Sequence, residues 1–291
     1  MLEAGRRVAA IALNTYREAV RARILLGLAA LALSTALYSI AVGEFALKNA
    51  PRVVADLGAA SISVYAILAA VIIGVTSLYR ELEQKTIFPI LARPIRRAEY
   101  VVGKYAGTLL TLGVFIALAV MGLVALPALL AWRLKRHRTY VPILWAAVAL
   151  GVAAMLASGA TDDRRVVLGA SSLAFMEVMI VSAIATLFSA FSSPFLSAVF
   201  TVGVFIVGRE TSTLARLPVR VFGTTIKSGA AFLARVFPNL EVYVPPRPLL
   251  TGEAPNTSLA EHIGLAGVQA LGWSVALLVL SSVIFKRRDL S

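Results

Sequence analysis

The sequence predicts an all-α polytopic membrane protein, and three observations carry that prediction. Hydrophobic residues make up 59% of the chain and charged residues only 15%, well outside the balance of a soluble domain. Apolar runs of about twenty residues, the length that crosses a hydrocarbon core of about 30 Å, follow one another along the sequence. The basic residues gather in short clusters at the ends of those runs rather than in one patch. A net charge of +13 therefore reads as a topology signal and an attraction to anionic lipid, and nucleic acid is excluded as a partner. No polar stretch is long enough for a separate soluble domain, so residues 1–291 form one transmembrane domain.

Residues 6–23 place Val8, Ile11, Ala12, Tyr16, Ala19 and Val20 on one helical face and Arg7, Asn14, Arg17, Glu18 and Arg21 on the other. That pattern predicts an N-terminal elbow helix (1–23) lying on the cytoplasmic surface. Span one follows at about 24–43, too long and too poor in small residues at its end for a cleaved signal peptide. A polar loop with Lys48, Arg52 and Asp56 leads to span two at about 58–78. Residues 79–107 then form a charged interlude, with six basic and three acidic residues from Arg80 to Lys104. The positive-inside tendency places this interlude, the N-terminus and the Lys286-Arg287-Arg288 tail in the cytoplasm. Span three is expected at about 105–126.

Residues 128–163 read as an insertion. Their apolar stretch, 140–158, is long enough to span but is flanked by Arg133, Lys135, Arg136 and Arg138 and by Asp162, Asp163, Arg164 and Arg165. A further span runs over 166–191 and ends at Ser192-Ser193-Pro194, where serine caps and a proline start a new helix. That next span, 194–208, is short and extends past Arg209 by snorkelling. Residues 210–262 form an extracytoplasmic loop. In it Val219, Phe222, Ile226, Leu233 and Val236 recur at helical spacing, the mark of an interfacial helix, before Pro245, Pro246 and Pro248 hold the chain extended. The last span is about 263–285. Counting 140–158 gives seven spans, whereas two cytoplasmic termini demand an even number. The favoured reading makes 140–158 an accessory element, re-entrant or surface-lying; in the alternative it spans and a neighbour does not.

Few residues offer chemistry. There is no cysteine and there are only two histidines, His137 and His262, neither beside a second ligand, so a metal centre is not expected. Met176 and Met179, one turn apart, read as helix packing. No phosphate-cradling GxxxxGK[ST] loop occurs, so no ATPase activity and no resident cofactor are expected in this chain. Glu177 is the one acidic residue inside an apolar span. It has two readings, a functional carboxylate and a packing hydrogen bond to a serine or a carbonyl. Gly103 and Gly107 form a GxxxG pattern that admits a closely approaching helix.

The interlude carries the strongest pattern. Tyr79-Arg80-Glu81-Leu82-Glu83 leaves span two, Lys85-Thr86 and an apolar turn to Leu91 follow, then Arg93-Pro94-Ile95, Glu99-Tyr100 and Gly103-Lys104-Tyr105. With Asp56-Leu57-Gly58, the FSAFSSP stretch at 188–194, Phe237-Pro238-Asn239-Leu240-Glu241 and Arg288-Asp289-Leu290, this order resembles the permease subunits of ABC-2 type transporters. It is most similar to the branch associated with multicopper-enzyme maturation and nitrous-oxide-reductase assembly. The resemblance covers most of the chain outside 128–163. It implies a six-span, type V exporter-like core, a homodimer of permeases in the inner (cytoplasmic) membrane, and a separate ABC ATPase subunit that binds ATP and Mg. It also implies that residues 79–104 are the ATPase-coupling segment, with Arg80, Glu81, Glu83, Lys85, Ile87, Phe88, Ile90, Leu91, Arg93 and Pro94 as contacts. Pro238, Asn239, Leu240 and Glu241 become an extracytoplasmic motif. The cargo is not legible, and a different class of function, a non-transporting scaffold for assembly of a periplasmic copper enzyme with periplasmic partners, stands beside export.

Overall fold

The computed structural model describes residues 2–21, 50–83, 96–131, 162–253 and 258–287, with further helical positions between 27 and 42. The side chains of 2, 50–51, 77–83, 122–131, 219–222 and 287 are likewise left undescribed. Ten elements are defined: α1 (Leu2–Arg21), α2 (Ala50–Glu83), α3 (Arg97–Ala131), α4 (Asp162–Ser189), α5 (Pro194–Arg209), α6 (Thr211–Ala215), α7 (Val219–Val236), a 3-10 turn (Glu241–Tyr243), α8 (Arg247–Thr251) and α9 (Leu259–Arg287). No strand occurs among the described residues. Four helices there are long and apolar enough to cross a membrane, within α2, α3, α4 and α9.

Their directions follow from paired residues. Gly74 of α2 packs on Ser182 and Ala185 of α4, while Asp56 and Asp163, near the two helix starts, meet at Arg247. These helices therefore run parallel. Gly267 of α9 lies against Met176 and Ser281 bonds the Thr186 carbonyl at 3.5 Å, so α9 runs with them. Tyr105 donates to the Met179 carbonyl at 3.1 Å, whereas Gly113, further along α3, meets Phe175. Thus α3 runs the opposite way. The core between these helices is aliphatic, with Ile62, Ala66, Ala69, Ala70, Leu112, Phe115, Leu173 and Ile180 all buried. Leu28 and Ala32 join it, and Thr35 bonds Tyr65 at 2.6 Å, so the described part of the predicted first span lies on α2.

Several boundaries differ from the sequence reading. Arg52 and Asp56 lie inside α2 rather than in a loop and pair one turn apart; with Pro51 in its opening turn, the helix starts well before the purely apolar run. Arg97, Glu99, Tyr100, Gly103 and Lys104 lie inside α3, so helix extends into both ends of the charged interlude. α5 starts at Pro194 behind Ser193. At 16 residues it reaches about 24 Å, short of a full crossing. α7 is not one straight helix: Gly223 has φ +77°, a conformation open to glycine and strained for other residues, and the helical path breaks there. The predicted 140–158 element and residues 84–95 lie outside the described residues.

α1 packs along the first half of α3. The two glycines of the GxxxG pattern are what admit it: a Cβ on Gly107 would stand 2.5 Å from the Ala12 carbonyl oxygen, and one on Gly103 would stand 2.8 Å from Ile11. Thr15 and Ala19 are buried by this contact. Arg7 pairs with Glu99 at 3.1 Å and Glu18 with Lys104 at 3.3 Å. Val20 is 43% exposed, so the apolar face docked on α3 is narrower than the one read from the sequence.

Candidate functional site

The bundle has two chemically distinct ends. At one, α1, the start of α3 and the end of α9 come together. Arg97 donates to the Phe285 and Lys286 carbonyls at 3.2 and 3.0 Å, where the last turn of a helix leaves carbonyls without partners. Tyr100 stacks on Phe285 with ring centroids 6.3 Å apart. The outgoing end of α2, carrying Arg80, Glu81 and Glu83, is helical backbone. The side chains of those three residues, and all of Lys85, Ile87, Phe88, Ile90, Leu91, Arg93 and Pro94, lie outside the described residues.

At the other end, charges gather. Arg247, in the first turn of α8, pairs with Asp56 of α2 and Asp163 of α4. In the predicted extracytoplasmic motif below this clamp, Pro238 and Leu240 are buried, Asn239 is half-buried and Glu241 is exposed. The Leu240 backbone N–H donates to the Gly208 carbonyl at 2.9 Å, and Leu240 is fully buried. A Cβ on Gly208 would stand 2.6 Å from the Pro238 carbonyl oxygen, so only glycine lets the motif close on α5. The Asn239 side chain accepts the Glu241 N–H at 3.0 Å, and the Asn239 carbonyl accepts from Gln269 of α9 at 3.0 Å. Glu241 in turn accepts from the Ser212 backbone and hydroxyl at 3.2 and 2.8 Å. Tyr243 donates to the Ala266 carbonyl at 3.1 Å. Burial chiefly, and the Glu177 charge beyond it, push this phenol above its usual range, so it stays a donor. The residues singled out as a motif thus tie α5, α6 and α9 together.

Glu177 is fully buried and pairs with Arg209, the last residue of α5. Glu177 lies fifteen residues into α4, about 22 Å along it, so the pair sits near the middle of that helix. α5 ends at Arg209, whose side chain turns to the buried carboxylate, a partner that hydrocarbon does not offer, and keeps part of its surface exposed. Its guanidinium also lies 5.8 Å from the Phe205 ring centroid. Beside the two sequence readings of Glu177, a functional carboxylate and a packing hydrogen bond to a serine or a carbonyl, the structure adds the ion pair with Arg209 and places Ser63 next to the carboxylate. One signal pointed to it: an acid inside an apolar span calls for a cation, and Arg209 closes the neighbouring span.

Between the clamp and this pair lies a cavity of about 270 Å³, lined by Asp56, Ser63, Arg209, Tyr243 and Arg247 among small apolar residues. Among the described residues no group of acids and histidines could hold a metal ion.

Among the described residues, four membrane-length helices, a short fifth helix packed on the buried Leu240 and an amphipathic N-terminal helix are consistent with the resemblance read from the sequence, and the family comparison decides it. The model of the ABC-2 family transporter proteins matches residues 9–290. The chain belongs to the ABC-2 transporter family. The match runs through residues 128–163 and both ends of the bundle, so the whole chain is a multi-pass ABC-2 membrane protein. No curated protein matches it.

Proposed function

We propose that this ABC-2 protein is the permease subunit of a transporter driven by a separate ATPase subunit, and that residues 79–104 receive the drive. The observation that carries this reading is the construction of the bundle end around that segment. α2 leaves the core and α3 enters it there, and both are packed on α4. The start of α3 is gripped by α1 through Gly103, Gly107 and two ion pairs, and the end of α9 is held by Arg97. Force applied between α2 and α3 would thus pass into several helices as nearly rigid bodies. The sequence offers no phosphate loop, so ATP and Mg belong to the partner.

This end is cytoplasmic in the proposal, since it carries the basic termini, and the chain lies in the cytoplasmic membrane. α3 leaves that side, and α4 starts on the opposite side beside Asp56. The chain therefore makes no net crossing between them, which supports six spans rather than seven. A second permease copy completes the complex. Membership of the nitrous-oxide-reductase assembly branch, with periplasmic partners, rests on the motif resemblance alone.

Replacing Leu91 or Arg93 with Asp puts a charge into the apolar turn or reverses one at its edge. Co-purification with the ATPase and ATP turnover of the reconstituted complex should both fall, because rim charges fix orientation and buried anchors supply affinity. Unchanged co-purification and turnover in both variants would remove the coupling assignment.

A further inference from the structure

We propose that the cavity between Arg209 and Arg247 is a binding site for a small amphiphilic organic anion, a carboxylate with a short apolar body, entering from the extracytoplasmic end. Its walls are mostly apolar, formed by residues such as Ala59, Val64, Ala170 and Leu250. Set into them are two guanidinium groups against one carboxylate, Asp56. Asp163, which also holds Arg247, and Glu177, which holds Arg209, do not line the space. The surface offered to a ligand is thus biased toward donors.

The donors are not exhausted. A guanidinium has five N–H groups, and among the described residues Arg209 makes one hydrogen bond, to a single oxygen of Glu177. Its remaining donors can take a carboxylate in the two-point geometry that guanidinium favours. The Ser63 hydroxyl, also in the wall, lies beside the Glu177 carboxylate, and a rotatable hydroxyl adds one more polar contact at the inner end. Arg247 by contrast is engaged by two aspartates. It holds α2, α4 and α8 around the mouth of the cavity, while Arg209 at the inner end supplies the main anion contact. The apolar body would lie against the alanine and valine wall, and Val64, 54% exposed, carries that wall outward. Leu68 and Ile72, also exposed, continue the same stripe at four-residue spacing.

The site belongs to the single chain and needs no ATPase, so its failure and that of the coupling assignment are separable. The test is calorimetric titration of the chain in lipid nanodiscs, empty nanodiscs subtracted, with octanoate, octanol and octylammonium. Octanoate should bind saturably, octanol at least tenfold more weakly, and octylammonium not at all. Ala60, exposed at the cavity wall, tolerates a larger side chain, so Ala60→Trp should fill the space and abolish octanoate binding. The double variant Arg209→Gln/Glu177→Gln removes both charges together, avoids stranding either, and should weaken octanoate at least tenfold. Absence of saturable octanoate binding to the unaltered chain, equal binding of octanol, or octanoate binding that survives Ala60→Trp would each overturn the proposal.

Discussion

At the scale of single residues, the buried pair Glu177–Arg209 shows how an apolar span accommodates a charge. The carboxylate is wholly enclosed, whereas the Arg209 side chain keeps 28% of its surface exposed. The two partners are therefore unequal. Removing Arg209 leaves an anion with no water and no counter-charge, a change that costs about 3–5 kcal/mol in buried pairs. Removing the charge of Glu177 leaves a cation that still reaches the cavity. We expect Arg209→Leu to lower the thermal midpoint of the purified protein strongly, Glu177→Gln to lower it less, and Arg209→Leu/Glu177→Leu to recover most of the loss. Equal destabilisation by the two single variants, or no recovery in the double, would mean that the pair does not carry this balance. The sequence reading found Glu177 but not its partner. Periodicity places residues on a helix, while a contact between residues 177 and 209 depends on the tight turn at 190–193 bringing α5 back along α4.

At the scale of elements, the docking of α1 on α3 shows what a small-residue pattern specifies and what it leaves open. Gly103 and Gly107 announce that some helix approaches α3 closely. Which helix does so is settled by matched features along α1: Ile11, Ala12 and Thr15 fit over the glycines, while Arg7 and Glu18 bracket them with ion pairs. Each pair has one largely enclosed partner, Glu99 or Lys104, whose desolvation offsets much of the charge attraction, so the close packing dominates. Gly107→Leu should expel α1, because its Cβ would meet the backbone carbonyl of Ala12, which no side-chain rotation can move. Faster protease cleavage within residues 2–21 would report the release, and Arg7→Ala should produce a much smaller increase. Protection unchanged in Gly107→Leu would show that α1 is held by something other than this contact. Other elements were legible for local reasons. The start of α5 is fixed by Pro194, and α4 begins with Asp162 and Asp163, whose charges suit a helix N-terminus. The break in α7 was less legible, since Gly223 is compatible with a continuous helical pattern until its positive φ is seen. The burial of Pro238, Leu240 and Tyr243 was hidden by the polar and proline residues around them, which read only as an extracytoplasmic loop.

At the scale of the molecule, the arrangement makes a strong statement about sidedness. Gly5 and Arg96 belong to the end that gathers α1, the start of α3 and the tail of α9. Asp162 and Glu253 belong to the end closed by Arg247. All four are exposed, and the absence of cysteine from the sequence makes each a unique thiol once substituted. A membrane-impermeant maleimide applied to intact cells should label Asp162→Cys and Glu253→Cys. It should reach Gly5→Cys and Arg96→Cys only after the membrane is opened. Labelling of Asp162 is the decisive reading for the span count, because α3 starts inside and α4 must start outside if the chain makes no net crossing between them. Protection of Asp162→Cys alongside Gly5→Cys would give an odd number of crossings between α3 and α4 and return the seven-run count. Labelling with Glu253→Cys would fix both charged aspartates of the Arg247 clamp on the extracytoplasmic side. The ion-pair clamp and the cavity beneath it would then face the compartment opposite the proposed ATPase. In the proposed cycle, drive received at residues 79–104 would have to act on that cavity along α2 and α4, whose contact is a buried aliphatic core.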